Sequence, residues 1–313
     1  MNPLLLALVQ AGVITQSDAE RINRSLDPDA ARAWAERRLV AGAQGGLSGQ
    51  GERLAELVRG AGGNPSAAAL DAFWRAEDER LWAAMRPAWQ EVVSENAVAM
   101  AVRLGADEMG DRMWNTVNER MLDWLDDYYI SADAANVGSI PNLNLTSRTQ
   151  FGQVFAQWQR GELEMGTTAQ GLPQLVEALG PVFGPVRAER IAVTETTRVI
   201  VESQRAASEA DEFITHYRFL SAADERVCPI CGPNHGAVIE KRSGGFSTPA
   251  GRMFPPLHPM CRCQILEETD QTRRLPPSPE ERYRWSEAAY ADYLRNRQAA
   301  TRPANAVRTL TGG

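Results

Sequence analysis

The chain is 313 residues long, more than one hydrophobic core ordinarily organises, so two domains are expected. Its 43% hydrophobic content is enough for a sizeable core, and its net charge of −7 argues against nucleic-acid binding through overall charge. No run approaches the ~18 apolar residues of a membrane-spanning helix, so a soluble protein made in a reducing cytosol, with no membrane partner, is expected.

The apolar run from Leu4 to Val9 has no positive residue before it and reads as the start of a packed helix rather than a secretory signal. Residues 1–42 suggest two or three short helices. Asp18 and Asp27-Pro28 are plausible starts, because an aspartate cap followed by proline satisfies exposed amides. The stretch 42–51, with Gly42, Gly45, Gly46, Gly49 and Gly51, reads as a flexible connector. A second break runs from Gly60 to Pro65, after which Ser66 is placed to cap a long helix.

From about 66 to 103, Leu70, Phe73, Trp74, Leu81, Trp82, Met85, Trp89 and Val92 recur at helical spacing. Pro87 falls inside this pattern and is expected to kink it. A second helix fits 107–130, and the tryptophans of both stripes read as the aromatic core of a helical hairpin. Residues 131–146 read as a loop, with Gly138, Pro141 and three asparagines. Helices follow at about 147–160 and 172–180. A long one at 185–210 carries Arg187, Arg190, Thr194, Glu195 and Arg198. Glu195 shows no partner in the sequence, so a solvated or salt-bridged role is expected for it.

After Asp211 the texture changes. His216–Leu220 alternates like a strand, and 237–239 and 264–266 are also strand-like, with Gly244-Gly245 and Gly251 as hairpin punctuation. Pro276-Pro277-Ser278-Pro279 reads as a linker, 280–297 as an amphipathic helix and 301–313 as a disordered end. Residues 271–313 hold eight arginines against four acids. They read either as a solvated tail or as an arm reaching a phosphate backbone or an acidic partner, with Arg273, Arg274, Arg282, Arg284, Arg295 and Arg297 as its candidate contacts. The expected fold is α+β, mostly α. A helical region spans 1–145. A domain spans 146–268, ending in a zinc-stapled β-rich module at 211–268. A linker, helix and tail occupy 269–313.

All four cysteines and two of the three histidines, His235 and His258, fall within one short stretch of that module. Cys228-Pro229-Ile230-Cys231 and His258-Pro259-Met260-Cys261 share one pattern of ligand, proline, hydrophobe and cysteine. Two such turns, brought together, present four N/S donors to a tetrahedral Zn²⁺. The expected ligands are Cys228, Cys231, His258 and Cys261. Cys263 is the alternate: two residues from Cys261, it would point to the opposite face of a strand, and a four-cysteine shell omitting His258 stays open. Plain buried thiols, disulfides and a thioredoxin-like redox pair fit this spacing less well in a cytosolic protein. A closed four-ligand shell leaves no site for water and so points to a structural metal. His235, four residues after Cys231, is a surface group or a fifth donor.

These residues also resemble a known family. The string Arg187-Ala188-Glu189-Arg190-Ile191-Ala192-Val193-Thr194-Glu195, then Asp224 to Cys231, Asn234-His235-Gly236-Ala237-Val238, and Phe254-Pro255-Pro256-Leu257-His258-Pro259-Met260-Cys261-Arg262-Cys263 is similar to the phage Mu F-like minor head proteins. The resemblance covers roughly 145–266, with Val193 standing where the family commonly has arginine. It implies a head morphogenesis protein of a tailed double-stranded DNA phage: a non-enzymatic virion component, made in the host cytoplasm. Its implied partners are the portal, capsid or scaffold proteins, and packaged DNA. The competing readings are a metal-dependent hydrolase acting on DNA through His235, His258 or Glu195, and a DNA-binding protein acting through the tail.

Overall fold

The computed structural model describes residues 3–12, 15–25, 27–103, 110–132, 138–163, 171–209, 211–221 and 227–270. The tail helix at 280–297, the end at 301–313 and the arginines Arg273, Arg274, Arg282, Arg284, Arg295 and Arg297 lie outside the described residues. So do Asp224, Glu225 and Arg226. Two compact units are present. One holds the chain to Asp211 together with Pro259–Cys261; the other holds Glu212–His258 and the chain from Arg262.

The first unit is built from helices: α1 (Pro3–Gln10), α2 (Gln16–Ser25), α3 (Pro28–Gly60), α4 (Ala67–Arg103), α5 (Gly110–Ile130), α6 (Ile140–Gln159), α7 (Leu172–Ala178), α8 (Gly180–Phe183) and α9 (Pro185–Glu209). Asp27 caps α3 as its sequence suggests, accepting from the amides of Asp29 and Ala30 with Pro28 in the first turn. Ser66 accepts from Ala69 N at the start of α4 (3.2 Å). Pro87 lies inside α4, which remains one element.

The 42–51 stretch is not a connector. It is the middle of α3, and its glycines mark a close helix crossing. A Cβ on Gly42 would stand 2.8 Å from Ala88 Cβ, and one on Gly46 2.8 Å from Leu81 Cδ1. Missing side chains four residues apart let α4 approach α3 closely, and this packing outweighs the poor helix propensity of glycine. Gly42→Val is expected to destabilise the helical unit by about 1–3 kcal/mol through overpacking, read as a lowered urea midpoint with an unchanged slope.

One core cluster joins Leu39, Leu47, Leu81, Met85, Trp89 and Leu125 with Ile191 and Val199 of α9. A second gathers Leu54, Phe73, Trp74, Phe151, Phe155 and Phe183. Trp74, Trp82, Trp89 and Trp124 therefore serve the core, as their spacing indicates. Trp82 stacks on Tyr129 (5.3 Å between ring centroids), and Trp74 meets Phe73 edge-on at 4.9 Å.

The loop expected over 131–146 is shorter than its asparagines suggest, since α6 begins at Ile140 and spans position 145/146. Asn144 is buried and fully used. Its amide donates to Trp74 O (2.9 Å) and Asp78 Oδ1 (2.8 Å), and its oxygen accepts from Gln50 Nε2 (2.9 Å). A polar residue that reads as a loop signal serves here as a buried bridge between helices.

The second unit is small and β-rich. An antiparallel sheet runs in the order β2 (Val238–Glu240), β1 (His216–Leu220), β5 (Gln264–Glu268), and a separate hairpin pairs β3 (Phe246–Thr248) with β4 (Gly251–Met253). In register, Tyr217 faces Ile239 on one side and Glu267 on the other. Its aromatic core is short: Tyr217 against Phe254, and Phe219 and Phe254 against Phe246. Arg218 and Glu268 form an ion pair, each 5% exposed.

Candidate metal centre

The first cysteine turn forms because the chain folds back on itself at Pro229-Ile230. The amides of Cys231 and Gly232 both donate to Cys228 O, at 3.1 and 2.9 Å. A 3₁₀ turn, Gly232–Asn234, follows at once. The buried Asn234 holds it, donating to Ile230 O (3.0 Å) and to Ser247 O of β3 (2.9 Å). The chain then returns to the sheet, where Gly236 N donates to Phe219 O and Phe219 N to Ala237 O.

This turn brings two thiols to one imidazole. Cys228 Sγ lies 2.9 Å from His258 Nε2, and Cys231 Sγ lies 3.2 Å from the same nitrogen. The Sγ atoms of Cys231, Cys261 and Cys263 lie within 4.8 Å of one another. None of the four cysteines is in a disulfide, and all four are buried. The Cys228 thiol is drawn down from the usual thiol range to about 4, chiefly by hydrogen bonding with Cys231; burial opposes this and His258 adds to it.

Buried soft thiolates and a half-buried imidazole nitrogen, close together without a disulfide, are donor types suited to a tetrahedral divalent metal. The structure places the five residues singled out from spacing in two trios that share Cys231: Cys228, Cys231 and His258 in one, and Cys231, Cys261 and Cys263 in the other. It corrects one step of that reasoning. Residues 261–263 are not a strand, since β5 begins only at Gln264, so alternation does not send the two thiols to opposite faces.

The other candidate groups are elsewhere. His235 is not in either donor group; its Nδ1 accepts from Ser221 N (3.1 Å) and stands 2.6 Å from Ser221 Oγ. An Nδ1 that accepts from an amide carries no proton, so the neutral ring holds its proton on Nε2. Glu195 is 2% exposed and lies in the helical unit. It accepts from Tyr129 Oη (2.6 Å) and Arg198 Nε (3.1 Å). Burial, then the Glu195 charge, pushes the Tyr129 phenol well above its ordinary value, which keeps it a donor. Glu195 is thus the acceptor of a buried network, in the salt-bridged role its sequence context suggests.

Spacing gave no sign of what α9 does with its threonines. Thr194 Oγ1 donates to Arg190 O (2.7 Å) and accepts from Met260 N (2.9 Å). Thr197 Oγ1 donates to Cys261 O. Met260 has a φ of +63°, a left-handed conformation uncommon for a side-chain-bearing residue, and its amide is fixed by Thr194. A threonine in the first half of a long helix carries no signal of such a bond.

Residues 153–266 match the family model described as phage Mu protein F like protein. The match includes α9, β1, β2, the first three residues of β5 and all five donor residues. No curated protein and no solved structure matches the chain. No helix among the described residues is long and apolar enough to cross a membrane.

Proposed function

We propose, from the phage Mu protein F-like domain at residues 153–266, that this chain is a head morphogenesis protein of a tailed double-stranded DNA phage, a structural component of the virion whose β-rich unit is held by a structural Zn²⁺. The observation that carries the reading is one segment doing two things: it matches the family, and it sets four thiols and an imidazole in two close trios that share Cys231. Cys228, Cys231 and His258 hold the metal, with Cys261 as fourth ligand and Cys263 as its alternate. Bound there, the metal supplies folding free energy to a unit with few aromatic and aliphatic residues to bury.

Portal, capsid and scaffold proteins are the partners this reading requires, with packaged DNA as a further contact through the arginine-rich tail. The long helices offer the docking surface, and no turnover is assigned to the chain. Density-purified particles from a producing host are expected to contain the protein at low copy by mass spectrometry. Disrupting its gene is expected to leave tails intact while filled heads are lost. Particles that form and package DNA normally without the protein would overturn the proposal.

A further inference from the structure

Two hollows open on the helical unit on either side of the turn between α7 and α9. One, about 670 Å³, has apolar walls from Leu143, Pro181, Val186 and Ile191, and carries Arg187 and Arg190. The other, about 480 Å³, runs along α3, where Glu52 and Glu56 accompany Val176, Leu179 and Phe183. Gly180 and Gly184 line both, so the hollows adjoin across a low saddle. Val186 and Val176, one in each hollow, are large apolar residues left 70% and 44% exposed. Each volume is in the range that holds a ligand group of several side chains.

The charges of the two hollows are opposite. Arg187 is partly buried, yet its guanidinium donates only to neutral acceptors: Ser147 Oγ and Val182 O at 2.8 Å, and Leu143 O at 2.9 Å. Burial, with Arg190 nearby, pulls its pKa down to about 10, the mark of a cation without a compensating anion. Among the described residues no carboxylate pairs with Arg187 or Arg190. The one carboxylate in that lining, Glu195, is already engaged by Tyr129 and Arg198. Across the saddle Glu52 and Glu56 outnumber Arg59.

This pattern selects the occupant. A nucleic-acid backbone would be attracted to one hollow and repelled by the other. A small anion would fill only the first and leave the apolar saddle open. We propose that the paired hollows form one docking groove for an extended segment of a partner protein, its acidic end against Arg187 and Arg190, apolar side chains over Gly180–Gly184, and its basic end against Glu52 and Glu56. Complementary charge at both ends fixes the register of the segment, and the apolar middle supplies most of the affinity. The groove lies within the helical unit, Pro259 of the second cysteine turn is part of its lining, and the proposal does not rest on the phage-head reading.

Gly180 provides the test. A Cβ there meets nothing within 4 Å, so Gly180→Trp fills the saddle without displacing the fold. A random library of short peptides is panned against the full chain, with the Gly180→Trp variant as counter-selection. Thermal melts confirm that the variant folds as the parent does. Peptides with an acidic end, an apolar middle and a basic end are expected to be enriched. Their affinity is expected to fall by roughly tenfold or more in Gly180→Trp and in Arg190→Glu. Enrichment of all-acidic peptides, competition by duplex DNA, or no enrichment over the counter-selection would each overturn the proposal. So would a self-associated species in sedimentation that Gly180→Trp abolishes, because the occupant would then be a second copy of this chain.

Discussion

Stripping metal from the purified protein with a strong chelator is expected to release about one equivalent of Zn²⁺ and to unfold residues 212–268, while the helical unit keeps its far-UV signal. Structural zinc contributes on the order of 10–16 kcal/mol of binding free energy in small domains, and in them it is folding free energy. The β-rich unit has little to replace it: its sheet is three short strands, and its packed rings are Tyr217, Phe219, Phe246 and Phe254. Cys228→Ser and Cys231→Ser are each expected to abolish stoichiometric binding, measured by metal analysis and by the charge-transfer bands of the cobalt-substituted protein. Cys261→Ser and Cys263→Ser are expected to differ, and the one that loses the tetrahedral cobalt spectrum carries the fourth ligand. The pH dependence follows from the depressed Cys228 thiol. A group whose folded pKa lies below its unfolded value stabilises fully above the ordinary thiol range, and that stabilisation is lost as pH falls through about 4. Amide protection factors over 212–268, each referred to the intrinsic exchange rate at the same pH, should therefore fall on acidification toward that value. A metal-free protein whose amides in this segment stay protected at neutral pH would rule the structural role out.

Glu195→Ala is expected to lower the stability of the helical unit by about 3–5 kcal/mol, because it leaves the Arg198 charge and the Tyr129 hydroxyl in a buried site without their acceptor. Among the described residues Arg198 then keeps only its contact with the Tyr128 ring, 4.8 Å from the centroid. Tyr129→Phe removes a single donor and should cost only about 1–2 kcal/mol. Urea denaturation of the two variants checks the order. If Glu195→Ala proved as mild as Tyr129→Phe, water would have to reach the carboxylate, and the network would carry little stability.

The sequence by itself determined the donor chemistry of the candidate metal centre. Four cysteines confined to two short turns leave few alternatives, and local backbone bonds such as Cys231 N to Cys228 O form each turn without help from distant residues. It also determined the helical stripes and the caps at Asp27 and Ser66, which are local, periodic signals. Only the tertiary structure decided what Gly42 and Gly46 are for. A glycine in a linker and a glycine under a crossing helix look alike until the neighbour is present, and here Ala88 and Leu81 are that neighbour. The same holds for Asn144, polar by composition but satisfied by Gln50, Trp74 and Asp78 from elsewhere in the chain. Glu195, Thr194 and Thr197 likewise gain their roles from partners more than sixty residues distant. Covalent spacing limits which donors can converge on one ion, so a metal site can be read along the chain. Close approach and buried hydrogen bonding depend on which surfaces meet, and the packing of α3, α4, α5, α6 and α9, with the turn at 259–261, decides that.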